Sequence, residues 1–129
     1  MDGRIEIYGF LPHKDLRKTI NTYNCFIGYS KKTALGDNEG IPNLLLENIL
    51  SGNLVFSTLT GGIGELFSDG APNALSGDIE EDANKIARIF PDTALIHEMI
   101  RKNFTKTREM FHPEKSIVKL ENSLLDQNE

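Results

Sequence analysis

The chain has 129 residues, of which 39% are hydrophobic and 26% charged, and its formal net charge is −5 at pH 7. This length suits one domain with a modest core, and the acidic balance argues against a nucleic-acid-binding protein, which usually carries a basic surplus. The sequence contains no apolar run of about 18 residues that would span a membrane and no signal-peptide pattern. Cys25 is the only cysteine, so an internal disulfide is excluded, and we expect a cytoplasmic protein.

Predicted strands and helices alternate through the first half of the chain. Residues 4–8 alternate apolar and polar side chains and predict a strand, which is followed by a predicted helix over 13–22. A short apolar run over 24–28 predicts a buried strand, and a polar loop extends from about 29 to 39. The next helix starts with Pro42 at the first helical position and ends before Gly52, which has the typical place of a C′ glycine.

The second half of the chain is predicted to become helical after two more strands. Residues 53–58 form the next predicted strand, a glycine-rich turn over 61–64 opens a short helix, and 74–76 form a short last strand. A helix is then predicted from residue 79, with Asp78 as its N-cap. A second helix is predicted over 92–111, and a third from near Pro113. The inward stripe of the first of these helices is predicted as Ile79, Ala83, Ile86, Ala87 and Phe90, and that of the second as Ile96, Met99, Ile100 and Phe104.

This alternation predicts an α/β fold with a parallel sheet and right-handed crossovers. In such a sheet all strand-to-helix loops emerge at the carboxyl ends of the strands, where ligands of open α/β sheets bind. The loops over 9–12, 29–41 and 59–64 should therefore lie together, and they are also rich in glycine and polar residues.

Two carboxylates flank the predicted helix that starts at Pro42. Glu39 lies in the loop before the helix, and Glu47 lies inside it, four residues after Asn43 and on the same face. The helix N-terminus offers free N–H groups to a phosphate, and carboxylates accept hydrogen bonds from sugar hydroxyls, so a nucleotide sugar suits both. The alternative is that Glu39 only interacts with the dipole of the helix and that Glu47 is only a solvated side chain on its surface. The scattered histidines predict no metal site, and His13 fits a helix-start residue.

An ordered set of motifs resembles the group 1 (family four) glycosyltransferases, which have the retaining GT-B architecture. The motifs cover nearly the whole chain: strand–Gly–helix over 7–16, a strand ending in a small-residue loop over 26–30, Glu39-x7-Glu47, a small-Gly-x-x-Val strand over 51–55, Gly-Gly-Ile-x-Glu over 61–65, and an Asp-Gly turn with Asn and a strand over 69–75.

The resemblance implies a Rossmann-like parallel sheet flanked by helices, part of the C-terminal domain of a GT-B enzyme. Residues 1–129 would then be a partial nucleotide-sugar-binding domain whose helical C-terminal segment covers about 79–126. Glu39 would face the donor sugar as the catalytic carboxylate, and Glu47 would bind the ribose. Substrate binding would also involve Gly40, Ile41, Pro42 and Asn43 near the sugar diphosphate, and Phe10 and Leu11 at the nucleobase.

The implied reaction is transfer of a hexosyl or N-acetylhexosaminyl group, with retention, from a nucleotide sugar to a glycan or lipid-linked acceptor. A UDP-sugar donor is expected, although the residues leave the base, the sugar and the acceptor open. The implied setting is lipopolysaccharide or other surface-polysaccharide synthesis, in the cytoplasm or peripherally at the inner face of the membrane. No cofactor and no metal are expected, because cationic groups and a helix N-terminus would stabilise the departing diphosphate.

The chain also departs from the family pattern. The upstream strands that carry a diphosphate-clamping Arg and Lys have no counterpart, nor does the acceptor-binding N-terminal domain, and Ala71-Pro72 is an insertion in the Asp-Gly turn. We therefore expect weak donor binding, no transfer by the isolated chain, and self-association through an exposed sheet edge. The alternatives are a non-catalytic α/β nucleotide-binding or regulatory module, or an interaction protein that works through its helical C-terminus.

Overall fold

The structure is a computed structural model that describes residues 5–30, 40–67, 70–112 and 114. Three parallel strands form one sheet in the order β1-β2-β3, and helices flank it, so the predicted α/β class with a Rossmann-like parallel sheet is confirmed. In chain order the elements are α1 (His13–Ile20), β1 (Cys25–Gly28), α2 (Asn43–Leu50), β2 (Leu54–Thr58), α3 (Ile63–Leu66), β3 (Ala74–Leu75), α4 (Ile79–Ile89) and α5 (Thr93–Met110).

The central strand β2 carries the core, because all five of its residues are buried. Val55 packs with α2 and α3 on one face of the sheet, and Leu54 and Phe56 pack with α4 and α5 on the other. A strand covered on both faces has no solvent side, which accounts for its continuous apolar run. Cys25 packs against the second of these clusters, as a small core residue would.

The helix α2, which positions the candidate site, has the sequence signals expected of its two ends. Pro42 is its N-cap, one position before the place predicted for it, and the Pro42 carbonyl accepts the amides of Leu45 and Leu46 at 3.0 and 3.3 Å. Gly52 follows the C-cap with φ 80°, a conformation that favours glycine, as predicted. The side-chain amide of the buried Asn53 donates to the Ile20 carbonyl at 3.2 Å and so fixes the end of α1 beside α2 and β2.

The strand predicted over 4–8 is wrong for the residues that the structure describes. Residues 5–8 form no strand, and the side chains of Ile5 and Ile7 are 89% and 92% exposed. The three described strands pair with one another and not with this segment. An unpaired strand would leave its backbone N–H and C=O groups without partners.

The predicted inward stripe of α4 is wrong except at Ile86, which packs against the second core cluster. Asp82 and Ile89 are buried and Ile86 is half-buried, whereas Ile79 is 78% exposed and Phe90 is 51% exposed. Ala83 and Ala87, also predicted inward, are exposed as well. The buried positions follow helical spacing, but the buried face differs from the predicted one, because the Asp82 carboxylate is held inside by hydrogen bonds.

The stripe of α5 is confirmed in its first half. Met99 is buried and Ile96 and Ile100 pack against the second core cluster, while Phe104 is half-buried with the Arg108 guanidinium 5.8 Å from its ring centre. The helix predicted from near Pro113 falls outside the described residues, apart from position 114. None of the helices in the described ranges has the length and apolar character needed to cross a membrane.

Candidate functional site

The candidate site lies around the start of α2, where the chain arrives from the carboxyl end of β1. Gly40 is exposed, Ile41 and Pro42 are half-buried, and Asn43 is the first helical residue. Among the described residues no side chain caps the helix, and its first turn contains no acidic residue. The first turn therefore contributes no anion of its own that would compete with a phosphate at the positive end of the helix. Glu39 and Asp69 fall outside the described residues, so their predicted places stay predictions.

Glu47 lies in the second turn of α2 and contacts α1. Its Oε1 atom accepts a hydrogen bond from His13 Nε2 at 3.1 Å, and the His13 side chain is 67% exposed. Its side chain is 33% exposed, but its Oε2 atom is buried and has no hydrogen-bond partner among the described residues. His13 is the first residue of α1, as expected, but its contact with Glu47 joins positions 34 apart in the chain, and no local pattern could have shown it.

A polar groove runs beside Glu47 between α1 and α2. Its volume is about 380 Å³, and Arg17 and Asn21 line it from the α1 side and Glu47 and Ser51 from the α2 side. The groove therefore combines a cation and a carboxylate with neutral hydrogen-bonding groups. It extends from Glu47 toward Asn21 and Ser51, the C-cap residues of α1 and α2, and so away from the start of α2.

The glycine-rich turn after β2 supports the segment that leads into α2. A Cβ atom on Gly62 would lie 2.9 Å from Ile41 Cγ1 and 3.3 Å from the Ile41 amide nitrogen. Only a glycine allows this close approach, so the loops over 29–41 and 59–64 meet as predicted, in the part that the structure describes. The third predicted loop, over 9–12, leads into His13, which contacts Glu47. Phe10 is 93% exposed and Leu11 is half-buried, and their contact with a nucleobase stays a prediction.

A second buried carboxylate, which the sequence reading missed, organises the same edge of the sheet. Asp82 on α4 accepts the amides of Ser76 and Gly77 at 2.8 and 3.0 Å, and it also accepts the hydroxyl of Tyr29. Burial raises the pKa of Asp82, but these hydrogen bonds together lower it below its ordinary value, and they raise the pKa of Tyr29 to about 12. Asp82 thereby ties the segments after β1 and β3 together.

Within residues 5–30, 40–67, 70–112 and 114, no cluster of three or more His, Cys, Asp or Glu side chains could hold a metal ion. Metal-independent chemistry at this site stays a prediction, since the loop that carries Glu39 lies outside the described residues.

Comparison with known proteins finds a relative over most of this chain. Over 110 residues, 84% of this chain, the sequence is 32% identical to the protein of Salmonella typhimurium strain LT2 named "Putative colanic acid biosynthesis glycosyltransferase WcaL". The matched stretch is 27% of that protein, so the chain spans about a quarter of the length of its relative. No protein-family model and no solved structure match the chain. The similarity supports a relationship to glycosyltransferases.

Proposed function

We propose that this chain supplies the donor-binding part of a group 1 (family four) glycosyltransferase of the GT-B architecture. The observation that carries the proposal is the buried Oε2 atom of Glu47, an acceptor without a partner among the described residues, about one turn from the start of α2. The sequence similarity to a glycosyltransferase supports it independently. A nucleotide sugar offers the hydroxyl groups and the diphosphate that these features require.

In the proposed site Glu47 binds the ribose of the donor. His13 donates to Oε1 and holds the carboxylate in one orientation, so that Oε2 is the acceptor left for a ribose hydroxyl. A carboxylate fixed in this way loses little side-chain freedom when the ligand arrives. Arg17 lines the same groove and places a positive charge near the nucleotide.

The diphosphate is proposed to lie at the start of α2. The backbone amides of Gly40, Ile41 and Asn43 present N–H groups there, whereas Pro42 has none, and Gly62 packs against Ile41 of this segment. These groups would stabilise the negative charge that develops on the departing diphosphate. Glu39 would face the donor sugar, a role that rests on the family resemblance.

The proposed enzyme transfers a hexosyl or N-acetylhexosaminyl group from a UDP-sugar, with retention and without a metal ion. Its acceptor would be a glycan or lipid-linked sugar in the synthesis of lipopolysaccharide or another surface polysaccharide, in the cytoplasm or at the inner face of the membrane. The relative named for colanic acid biosynthesis supports the polysaccharide setting. Because the chain spans about a quarter of that relative, we expect it to bind the donor weakly and to need further parts of an enzyme for transfer.

Saturation-transfer NMR of the chain with UDP, GDP, ADP and their sugars tests the proposal. We expect transfer to the ribose protons of one nucleotide, and a loss of affinity of about tenfold or more in Glu47→Gln, because a hydrogen bond to a charged group contributes roughly 1.5–3 kcal/mol. Glu80→Gln is the matched control, since it removes the same charge from an exposed position on α4. Equal binding by Glu47→Gln, or no transfer from any nucleotide to the folded chain, would contradict the proposal.

A further inference from the structure

Buried polar atoms without partners concentrate around α5, away from the site at Glu47. Among the described residues there are four such side-chain atoms, and three of them are Asn73 Nδ2, Asn103 Nδ2 and Thr107 Oγ1. Asn73 is 4% exposed and directly precedes β3, and Thr107 is 1% exposed. Asn103 and Thr107 are four residues apart on α5 and therefore share one face.

Two of these residues line the same cavity, which has a volume of about 290 Å³. Asn73 enters it from the turn before β3, and Asn103 enters it from α5. The Lys85 ammonium fixes this turn, because it donates to the carbonyls of Ala71, at 3.3 Å, and of Ala74. The cavity is thus bounded by a rigid turn and a long helix, and its volume is near the lower limit for small-molecule sites.

The lining of the cavity combines an apolar wall with a positively charged rim. Leu66, Phe67, Leu95 and Met99 form apolar parts of the wall. Lys102 and Lys106 lie on the rim; Lys102 pairs with Glu98 at 2.6 Å, whereas Lys106 has no ion pair within the described part of the chain. Within the described residues, Lys106 is therefore the rim lysine that no carboxylate pairs with.

We propose that this cavity binds a small organic anion, with a carboxylate or phosphate group on a compact apolar body. The oxygens of the anion accept hydrogen bonds from the side-chain amides of Asn73 and Asn103, and Lys106 balances its charge. The apolar body packs against Leu95 and Met99. The binding site is separate from the donor site, because its residues belong to α5 and the turn before β3.

The unpartnered amides are the reason to expect a ligand with acceptor oxygens. A buried donor without an acceptor costs about 1–3 kcal/mol, so two such donors on one cavity strongly favour a molecule that can accept from both. A carboxylate or phosphate accepts several hydrogen bonds at once, and bonds to an ionised acceptor are about twice as strong as those between neutral groups. A bound water would satisfy the amides but would not use the lysine or the apolar wall.

Titration of the ¹⁵N-labelled full chain followed by NMR tests the proposal, because side-chain amide signals report directly on Asn73 and Asn103. The probes are benzoate and phenyl phosphate, with acetate and inorganic phosphate as the same head groups without the large apolar body. We expect both amides to shift together and saturably with benzoate or phenyl phosphate, and more weakly with the small ions. The stronger of the two large probes identifies the head group as carboxylate or phosphate.

The matched variants are Asn103→Leu, which removes the amide but keeps a side chain branched at Cγ, and Asn84→Leu, the same change at an exposed position of α4. Asn103→Leu should weaken binding at least about tenfold, which corresponds to about 1.4 kcal/mol, and Asn84→Leu should leave it unchanged. Shifts confined to lysine signals, no saturable shift at either amide, or a crystal structure with only water in the cavity would each overturn the proposal.

Discussion

Replacing Glu47 by Met tests whether this carboxylate serves binding or stability. The Oε2 atom of Glu47 is buried without a partner, whereas Oε1 accepts from the largely exposed His13 ring at 3.1 Å. Methionine has nearly the same length, has no polar atom to leave unpaired, and is a good helix former at a position inside α2. If Glu47 is kept for a ligand, the ligand-free chain should become more stable when it is removed.

The expected gain follows from two opposing contributions. Removing an unpartnered buried acceptor relieves a cost of about 1–3 kcal/mol. Losing the contact with His13 costs about 0–1 kcal/mol, because an ion pair with a largely exposed partner contributes little. The free energy of unfolding of Glu47→Met should therefore rise by roughly 1–2 kcal/mol, and the melting temperature by roughly 4 °C per kcal/mol for a chain of this size.

Urea unfolding followed by far-UV circular dichroism measures this change, with nucleotide binding recorded on the same samples. The reasoning requires higher stability together with lost binding. A loss of stability of more than about 1 kcal/mol would refute it, since Glu47 would then have a stabilising role in the folded chain. Higher stability with unchanged binding would refute the ribose-binding role alone.

Three further substitutions test the surroundings of the site. Asp82→Asn should lower the free energy of unfolding, measured by urea titration, by about 1–3 kcal/mol, because the side-chain amide cannot accept from both backbone N–H groups. The pKa of Asp82 is held below its ordinary value of 3.8. Its contribution to stability is therefore present above that pH and is lost as the pH falls through the lowered pKa. Gly62→Ala should lower the free energy of unfolding by about 1–3 kcal/mol and weaken nucleotide binding, because the added Cβ meets Ile41. Gly64→Ala is the control and should leave stability unchanged or raise it, since no atom lies within 4 Å of its added Cβ. Equal effects of the two substitutions on stability would contradict the close approach of Gly62 to Ile41. His13→Ala should weaken nucleotide binding several-fold, and His13→Gln should partly restore it. Dissociation constants in both variants that equal that of the unsubstituted chain would rule out a positioning role of His13.

The helix α2 and the strand β2 are predicted closely by the sequence because their signals are local. Pro42, the leucine-rich stripe and Gly52 each act within a few residues of their own position, and the continuous apolar run of β2 reflects burial on both faces. The meeting of the loops at the carboxyl edge was predictable as well, since it follows from parallel topology.

The errors arise where the outcome depends on distant parts of the chain. Residues 5–8 have the alternation of a strand, but a strand also needs a neighbour, and none of the described strands is next to this segment. Asp82 sits in the acidic first turn of α4 beside Glu80 and Glu81, and nothing in this run distinguishes the one carboxylate that turns inward. Its donors come from Tyr29 and from residues that follow β3, which only the fold brings together.

Two carboxylates of this chain, the buried Asp82 and the partly exposed Glu47, illustrate how hydrogen-bond satisfaction separates a stabilising group from a binding group. Every oxygen of Asp82 has its donors inside the protein, so a ligand has nothing to add there and the residue contributes to stability. The Oε2 atom of Glu47 is already removed from water when the chain folds, and it gains no bond in return. A ligand hydroxyl that reaches this atom does not have to displace its hydration, so the contribution of the new bond to affinity should approach the upper part of the roughly 1.5–3 kcal/mol range for charged acceptors. The folded chain thus bears in advance part of the desolvation cost of binding, which is the arrangement expected of a preorganised site.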